Sequence, residues 1–285
     1  MMFGSGLWAD AWRRLGADRG AKWALGLLAL LALLAAATPL LSPYAPDALD
    51  WQHLASAPLS VPAHWLGTDR LGRDLLVRTL QGLRLSIFIG VVATAISLFI
   101  GVLWGATAGY AGGRLDELMM RFVDVLYSLP YLFIVIILST LVPRGSLAAL
   151  FLAIGAVGWL TTARIVRAQT LTLRAREFIE AARAIGRTTP GILLHHILPN
   201  LAGTLAIYAT LTLPQMVLFE SFLSFLGLGT QEPQASLGSL INDGAQEMQT
   251  APWLLLIPAS CLILLLVCCN VLGDALRAAL DPREE

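Results

Sequence analysis

The side chains that could do covalent or metal chemistry are few here, and their spacing is wrong for it. A loop that cradles phosphate needs glycines, a lysine and a Ser or Thr at fixed intervals, and the only lysine is Lys22, in GAKW. ATP hydrolysis is therefore excluded for this chain. Ser236 and Ser239 have no histidine near them in sequence, and no HExxH, CxxC or GxSxG string occurs. His195 and His196 are adjacent, so on a helix they face different directions and make a poor metal pair. Cys261, Cys268 and Cys269 share one apolar run and read as small apolar side chains rather than a disulfide framework. The expectation is no catalytic residue, no metal ligand and no bound cofactor.

The charges that remain are concentrated in a few short stretches. GTDRLGRD, residues 67–74, reads as a tight Gly/Asp turn with helix-spaced pairs, Asp69 with Arg73 or Asp74 with Arg78, and with Gly72 inside it. Asp124 is expected to pair with Arg121 or with an arginine of a neighbouring loop. Glu220 lies about 20 residues into an apolar run, where a carboxylate is costly unless it faces protein or water. A structural or gating contact is the expectation for these residues, with direct substrate contact as the alternative for the turn and for Glu220.

The elements that must position these groups are apolar. The chain has 285 residues, 57% of them hydrophobic and 13% charged, and a mean hydropathy of +0.72. Soluble domains carry roughly 25% charged residues. The net charge of zero implies no bulk attraction to nucleic acid. Uncharged runs long enough to span a bilayer cover about 23–41, 85–108, 125–142, 146–163, 201–219 and 252–273. Backbone groups cannot remain unpaired in hydrocarbon, so each run is expected to be helical. The first is read as a retained helix rather than a cleaved signal. With both termini inside, inner segments hold about 14 of the 19 basic residues, as the positive-inside rule requires.

The stretch EFIEAARAIGRTTPGILLHHILPN, residues 177–200, then falls on the inner side. It predicts a short helix, a left-handed break at Gly186, and a second helix with Thr189 at its cap and Pro190 at its first position. Ala181, Ala182 and Ala184 leave part of the first helix without bulk. Ile192, Leu193, Ile197 and Leu198 form an apolar stripe. A solvated amphipathic connection and a docking helix for a cytoplasmic partner both fit these residues.

EAARAIG followed by ILPN resembles the EAA loop of permease subunits of binding-protein-dependent ABC importers, with Glu180, Ala181, Ala182, Gly186, Leu198 and Pro199 at the matching positions. HWLGTDRLGRDLLVRTLQGLRLS (64–86), GYAGGRLDELMMRFVDVLYSLP (109–130) and ESFLSFLGLGTQEPQASLG (220–238) resemble the C-type, second permease subunit of the dipeptide/oligopeptide/nickel group. Val77 stands where that group usually has serine, and Leu237 where it often has tryptophan.

The resemblance implies an all-α integral membrane protein of six transmembrane helices, with a coupling-helix loop between helices 4 and 5. The expected organisation is a cytoplasmic segment 1–22, a first helix and periplasmic segment 23–84, a five-helix permease core 85–274 with its EAA loop at about 174–200, and a cytoplasmic tail 275–285. It implies a bacterial inner membrane location and four kinds of partner: a homologous second permease, two cytoplasmic ABC ATPases that use ATP and Mg, a periplasmic or lipid-tethered substrate-binding protein, and the bilayer. Peptides are the expected cargo, with nickel or another small solute on the same scaffold as the alternative. An ion-gradient-driven secondary transporter is the alternative of another class, disfavoured because the spans carry almost no charge at their centres.

Overall fold

The computed structural model describes residues 4–140 and 147–280. Helices dominate it: α1 (Gly4–Ala17), α2 (Arg19–Ala36), α3 (Thr38–Leu41), α4 (Leu75–Ala111), α5 (Gly113–Ser128), α6 (Tyr131–Thr140), α7 (Leu147–Arg174), α8 (Glu177–Ala184), α9 (Thr189–Ile192), α10 (Leu198–Phe225), α11 (Leu237–Gln246) and α12 (Trp253–Leu280). Among the described residues there is no sheet, only two isolated antiparallel bridges, Val61 with His64 and Thr68 with Asp74. Helix occupies most of the described part of every expected apolar run. Residues 141, 142 and 146, at the ends of two runs, and 281–285 of the expected tail lie outside the described residues.

The boundaries differ from expectation for physical reasons. The first run is divided: α2 stops at Ala36, and α3 restarts with proline in its first turn. The preceding segment is itself helical, and Ala11 of α1 packs against Ala279 and Leu280 of α12. α4 starts about ten residues before the apolar run because Asp74 caps it, its carboxylate accepting the Val77 N–H at 2.9 Å. The third run is not one rod. Helix ends before Pro130, which disfavours helical geometry in its predecessor Leu129, and the axes of Gly113–Ser128 and Leu132–Leu138 meet at 92°. By length and composition α2, α4, the α9–α10 rod (Thr189–Phe225) and α12 can each cross a membrane, and α5 with α6 makes a fifth crossing if the bent pair is one span.

α4 and α7 form the closest pair. Gly101, Gly105 and Gly109 lie at i, i+4, i+8 on α4, one face of a helix. A Cβ at Gly101 would sit 2.9 Å from the Trp159 carbonyl oxygen, one at Gly109 2.8 Å from that of Arg167, and one at Gly105 would collide with that of Ala163. Small residues let membrane helices approach backbone to backbone, where dispersion and shape replace the missing hydrophobic drive. Around this seam Ile89, Ala93, Ile154, Leu160, Met216 and Leu223 form the largest buried cluster, joining α4, α7 and α10. A second cluster joins Leu31, Leu83, Val217, Leu262 and Leu265, seating α2 and α12 against α4 and α10.

Candidate functional site

One end of the bundle carries the organised polar loop. α8 ends at Gly186, whose φ is +83°, a region that costs a side chain strain. The Gly186 N–H donates to the Arg183 carbonyl at 2.9 Å and the Arg187 N–H to that of Ala182 at 3.1 Å, the paired bonds of a Schellman stop. The second helix begins one residue earlier than expected: Thr188 is the cap residue, without a side-chain cap bond, and Thr189 is already helical. No gap separates α9 from α10. A π-helical stretch, Leu193–Ile197, joins them and holds His195 and His196. Leu198 is half-buried and Pro199 exposed, both in the first turn of α10.

The facing of α8 corrects one expectation. Ala182 does not lie on an open small-residue face; it is buried with Ile179 against Ala106, Val166, Ile192, Ile197 and Leu201. Those side chains come from α4, α7, α9, the π-helical stretch and α10, so Ala182 is part of the seat of α8 rather than of its free surface. The outward face consists of Glu177, Phe178, Glu180, Ala181 and Ala184, followed by Ile185, which is 84% exposed. Leu194 is exposed as well. Arg183 donates from Nε to the Tyr110 hydroxyl at 3.2 Å and lies 5.0 Å over its ring, tying α8 to α4.

Two further ion pairs brace this end. Arg164 reaches Asp124 at 2.7 Å and lies 4.1 Å over the Tyr127 ring. Thus the partner of Asp124 is an arginine of α7, while Arg121 lies 4.0 Å from Glu117. Arg167 donates to both carboxylate oxygens of Asp116, at 2.5 and 2.6 Å. Together these pairs fix α5 to α7.

At the other end, residues 67–74 form a knot. Asp69 accepts the Leu71 and Arg73 N–H groups, each at 2.9 Å, and Arg73 Nε at 2.7 Å. Its second cation is Arg78, not the partner expected from helical spacing; Asp74 instead caps α4 and bonds His64. Arg73 also donates to Glu232 at 2.8 Å. Burial, the largest single influence, pushes the Asp69 carboxyl up, but the Arg73 N–H and the guanidinium groups of Arg78 and Arg73 outweigh it and hold it below its usual value. Asp243, beside Arg78, is pushed up by burial. Gly72 has φ +77° and stands so close to Asp50 that a Cβ would overlap its backbone.

Glu220 is fully buried in α10. It accepts the Ser86 hydroxyl at 2.8 Å, that of Ser224 at 2.8 Å and that of Ser221 at 3.4 Å. Ser86 in turn accepts the Leu237 N–H at 3.2 Å. This carboxylate therefore joins α4, α10 and α11. α11 was not expected from the sequence; its signal is the reciprocal Ser236 and Ser239 capping box.

Between the two ends lies a cavity of about 430 Å³ among α5, α7 and α10. Tyr127, Thr161, Thr162, Tyr208, Thr212 and Gln215 supply its polar lining, and no charged residue lines it. None of these positions stands out in sequence, because they are scattered, uncharged residues within apolar runs.

Comparison with known proteins gives a consistent result. Residues 101–285 match the family described as binding-protein-dependent transport system inner membrane component, and residues 6–58 the N-terminal TM domain of oligopeptide transport permease C. The oligopeptide transport system permease protein OppC of Escherichia coli K12 is 50% identical over 281 residues, 99% of this chain and 93% of that protein. The Haemophilus influenzae OppC is 48% identical, over 99% and 90%. The dipeptide transport system permease protein DppC of Bacillus subtilis is 44% identical, over 96% and 85%. An inward-facing structure of the MetNI methionine ABC transporter superposes with a TM-score of 0.57 at 21% identity, over 72% of this chain and 96% of that one.

Proposed function

We propose, for a chain that belongs to the binding-protein-dependent transport system inner membrane components, that it forms half of the pathway by which an ABC importer takes peptides into the cell. One observation carries the mechanism: the helices that line the cavity also hold the docking element. α7 contributes Thr161 and Thr162 to the cavity and Val166 to the seat of α8; α10 contributes Tyr208, Thr212 and Gln215 to the cavity and Leu201 to the same seat. A displacement of α8 by a partner is thereby passed to the cavity walls through packed side chains, which do not compress.

The chain crosses the membrane six times with both termini inside, α7 and the bent α5–α6 pair included. α8 through Leu198 and Pro199 meets a cytoplasmic ATPase, Glu180, Ala181 and Ile185 outermost, while Ala182 and Gly186 hold the shape. A homologous permease completes the pathway, two ATPases use ATP and Mg, and a substrate-binding protein delivers cargo at the outer knot. The uncharged polar lining favours peptides of varied sequence, since hydroxyl and amide groups can meet any peptide backbone without selecting a side-chain charge. This chain itself catalyses nothing.

The test is accumulation of a labelled oligopeptide by proteoliposomes containing both permeases, the ATPases and loaded binding protein. Accumulation should require hydrolysable ATP and survive an uncoupler. Collapse under the uncoupler with ATP maintained would make the chain a secondary transporter.

A further inference from the structure

Near the outer knot, two imidazoles converge on a single carboxylate oxygen. His53 Nδ1 lies 2.9 Å and His64 Nε2 3.4 Å from Asp50 Oδ2. One ligand atom from each of Asp50, His53 and His64 falls within 4.8 Å of the other two. A tetrahedral ion with bonds of about 2.0–2.2 Å sets its ligand atoms roughly 3.3–3.6 Å apart; two of the separations, 2.9 and 3.4 Å, lie near that spacing and the third is within 4.8 Å.

The second ring nitrogen of His64 is also committed. His64 is buried, and its Nδ1 lies 2.8 Å from Asp74 Oδ2. A carboxylate can only accept, so Nδ1 carries the proton. In the neutral ring Nε2 is then a bare lone pair aimed at the Asp50 oxygen, an arrangement that a cation between them resolves. A carboxylate that orients a histidine through its far nitrogen is the usual outer support of a zinc ligand. Access exists too: an open cavity of about 380 Å³ borders Asp50, Trp51, Gln52, His64 and Gly72.

We propose that Asp50, His53 and His64 bind a divalent transition ion, Zn²⁺ by ligand type, with Asp74 as the orienting residue and the fourth position open to the cavity. Two imidazoles and one carboxylate suit Zn²⁺ rather than Mg²⁺ or Ca²⁺, which take oxygen. The ion would clamp the 50–53 turn to the 64–74 knot and, through the Asp74 cap, to the start of α4. This assignment departs from the sequence reading, which found no metal ligand, and it does not depend on the transport cargo.

The experiment is Zn²⁺ titration of the metal-stripped full chain, co-purified with its partner permease in detergent, with Co²⁺ absorption as the geometric probe. One Zn²⁺ per chain should bind, and Co²⁺ should give the intense visible band of a four-coordinate site. His53→Ala and Asp50→Asn should each weaken binding at least about tenfold, and Asp74→Asn, which keeps a competent helix cap, by about 10–100-fold. The His195→Ala/His196→Ala double variant should bind as wild type. Since His53 is half-exposed, its variant should still fold. Failure of the wild type to bind, equal binding by His53→Ala, or loss of binding in the His195/His196 variant would overturn the proposal. Failure to bind would identify the cluster as a hydrogen-bonded brace between the 50–53 turn and the start of α4.

Discussion

Arg78 illustrates how single charges hold the knot at residues 67–74. It is 3% exposed and pairs with Asp69, with Glu232 3.7 Å and Asp243 4.0 Å away. Removing one member of a buried pair costs about 3–5 kcal/mol when the other is left uncompensated; Asp69 keeps Arg73 at 2.7 Å, so loss of Arg78 costs only part of that. Arg78→Ala should therefore lower the thermal stability of the purified chain far more than Arg187→Ala, whose exposed side chain can lose only about 0–1 kcal/mol; equal melting temperatures would refute the knot. Acid should act through Asp69. Its folded carboxyl titrates below the ordinary value, so its stabilisation is complete above about pH 3.9 and disappears as pH falls through the lower, folded value. Wild type should lose stability across that window, and Asp69→Asn should show less of the loss. At this scale only near neighbours were legible. Asp69 with Arg73 follows from i, i+4 spacing, whereas Arg73 meets Glu232 across 159 positions that no local pattern links. Asp50, His53 and His64 likewise have no motif spacing; the chain turns back between His53 and His64 through Ala55 and Leu59, both at positive φ.

At the scale of elements, the stop at Gly186 was readable because few residues other than glycine tolerate its backbone. The facing of α8 was not. Eight residues make barely two turns, and alanines at 181, 182 and 184 leave periodicity too weak to show which side a neighbour covers. The consequence is testable. Ala182→Phe should overpack the seat among Ile179, Val166 and Leu201, costing about 1–3 kcal/mol, and should loosen the loop within the isolated chain, as limited proteolysis would detect. Ile185→Asp should leave the isolated chain unchanged and weaken ATPase co-purification. Matching behaviour of the two variants would mean that the faces are misassigned. The α4–α7 seam makes a parallel case: Gly105→Leu should separate the helices and reduce the yield of folded protein, whereas Gly203→Ala, with open space around its Cβ position, should not. The bend at Pro130 carried a signal in its proline, but the continuous apolar run around it read as one span.

For the whole molecule, hydropathy made the spans legible and the distribution of arginine implied the orientation, because both are summed over many residues. With Cys261, Cys268 and Cys269 replaced, a cysteine at exposed Thr188 should resist an impermeant thiol reagent in intact cells, and one at exposed Gln234 should react; the reverse would invert the topology. What hydropathy could not reveal is that α7 and α10 each join the seat of α8 to the cavity, since that depends on how the helices pack. The most direct measurement is ATP-driven oligopeptide accumulation by the reconstituted transporter, comparing wild type with Ile185→Asp. Accumulation should fall at least about tenfold, equivalent to roughly 1.4 kcal/mol of lost docking, and raising the ATPase concentration should restore part of it. Undiminished accumulation in Ile185→Asp would contradict transmission through α8.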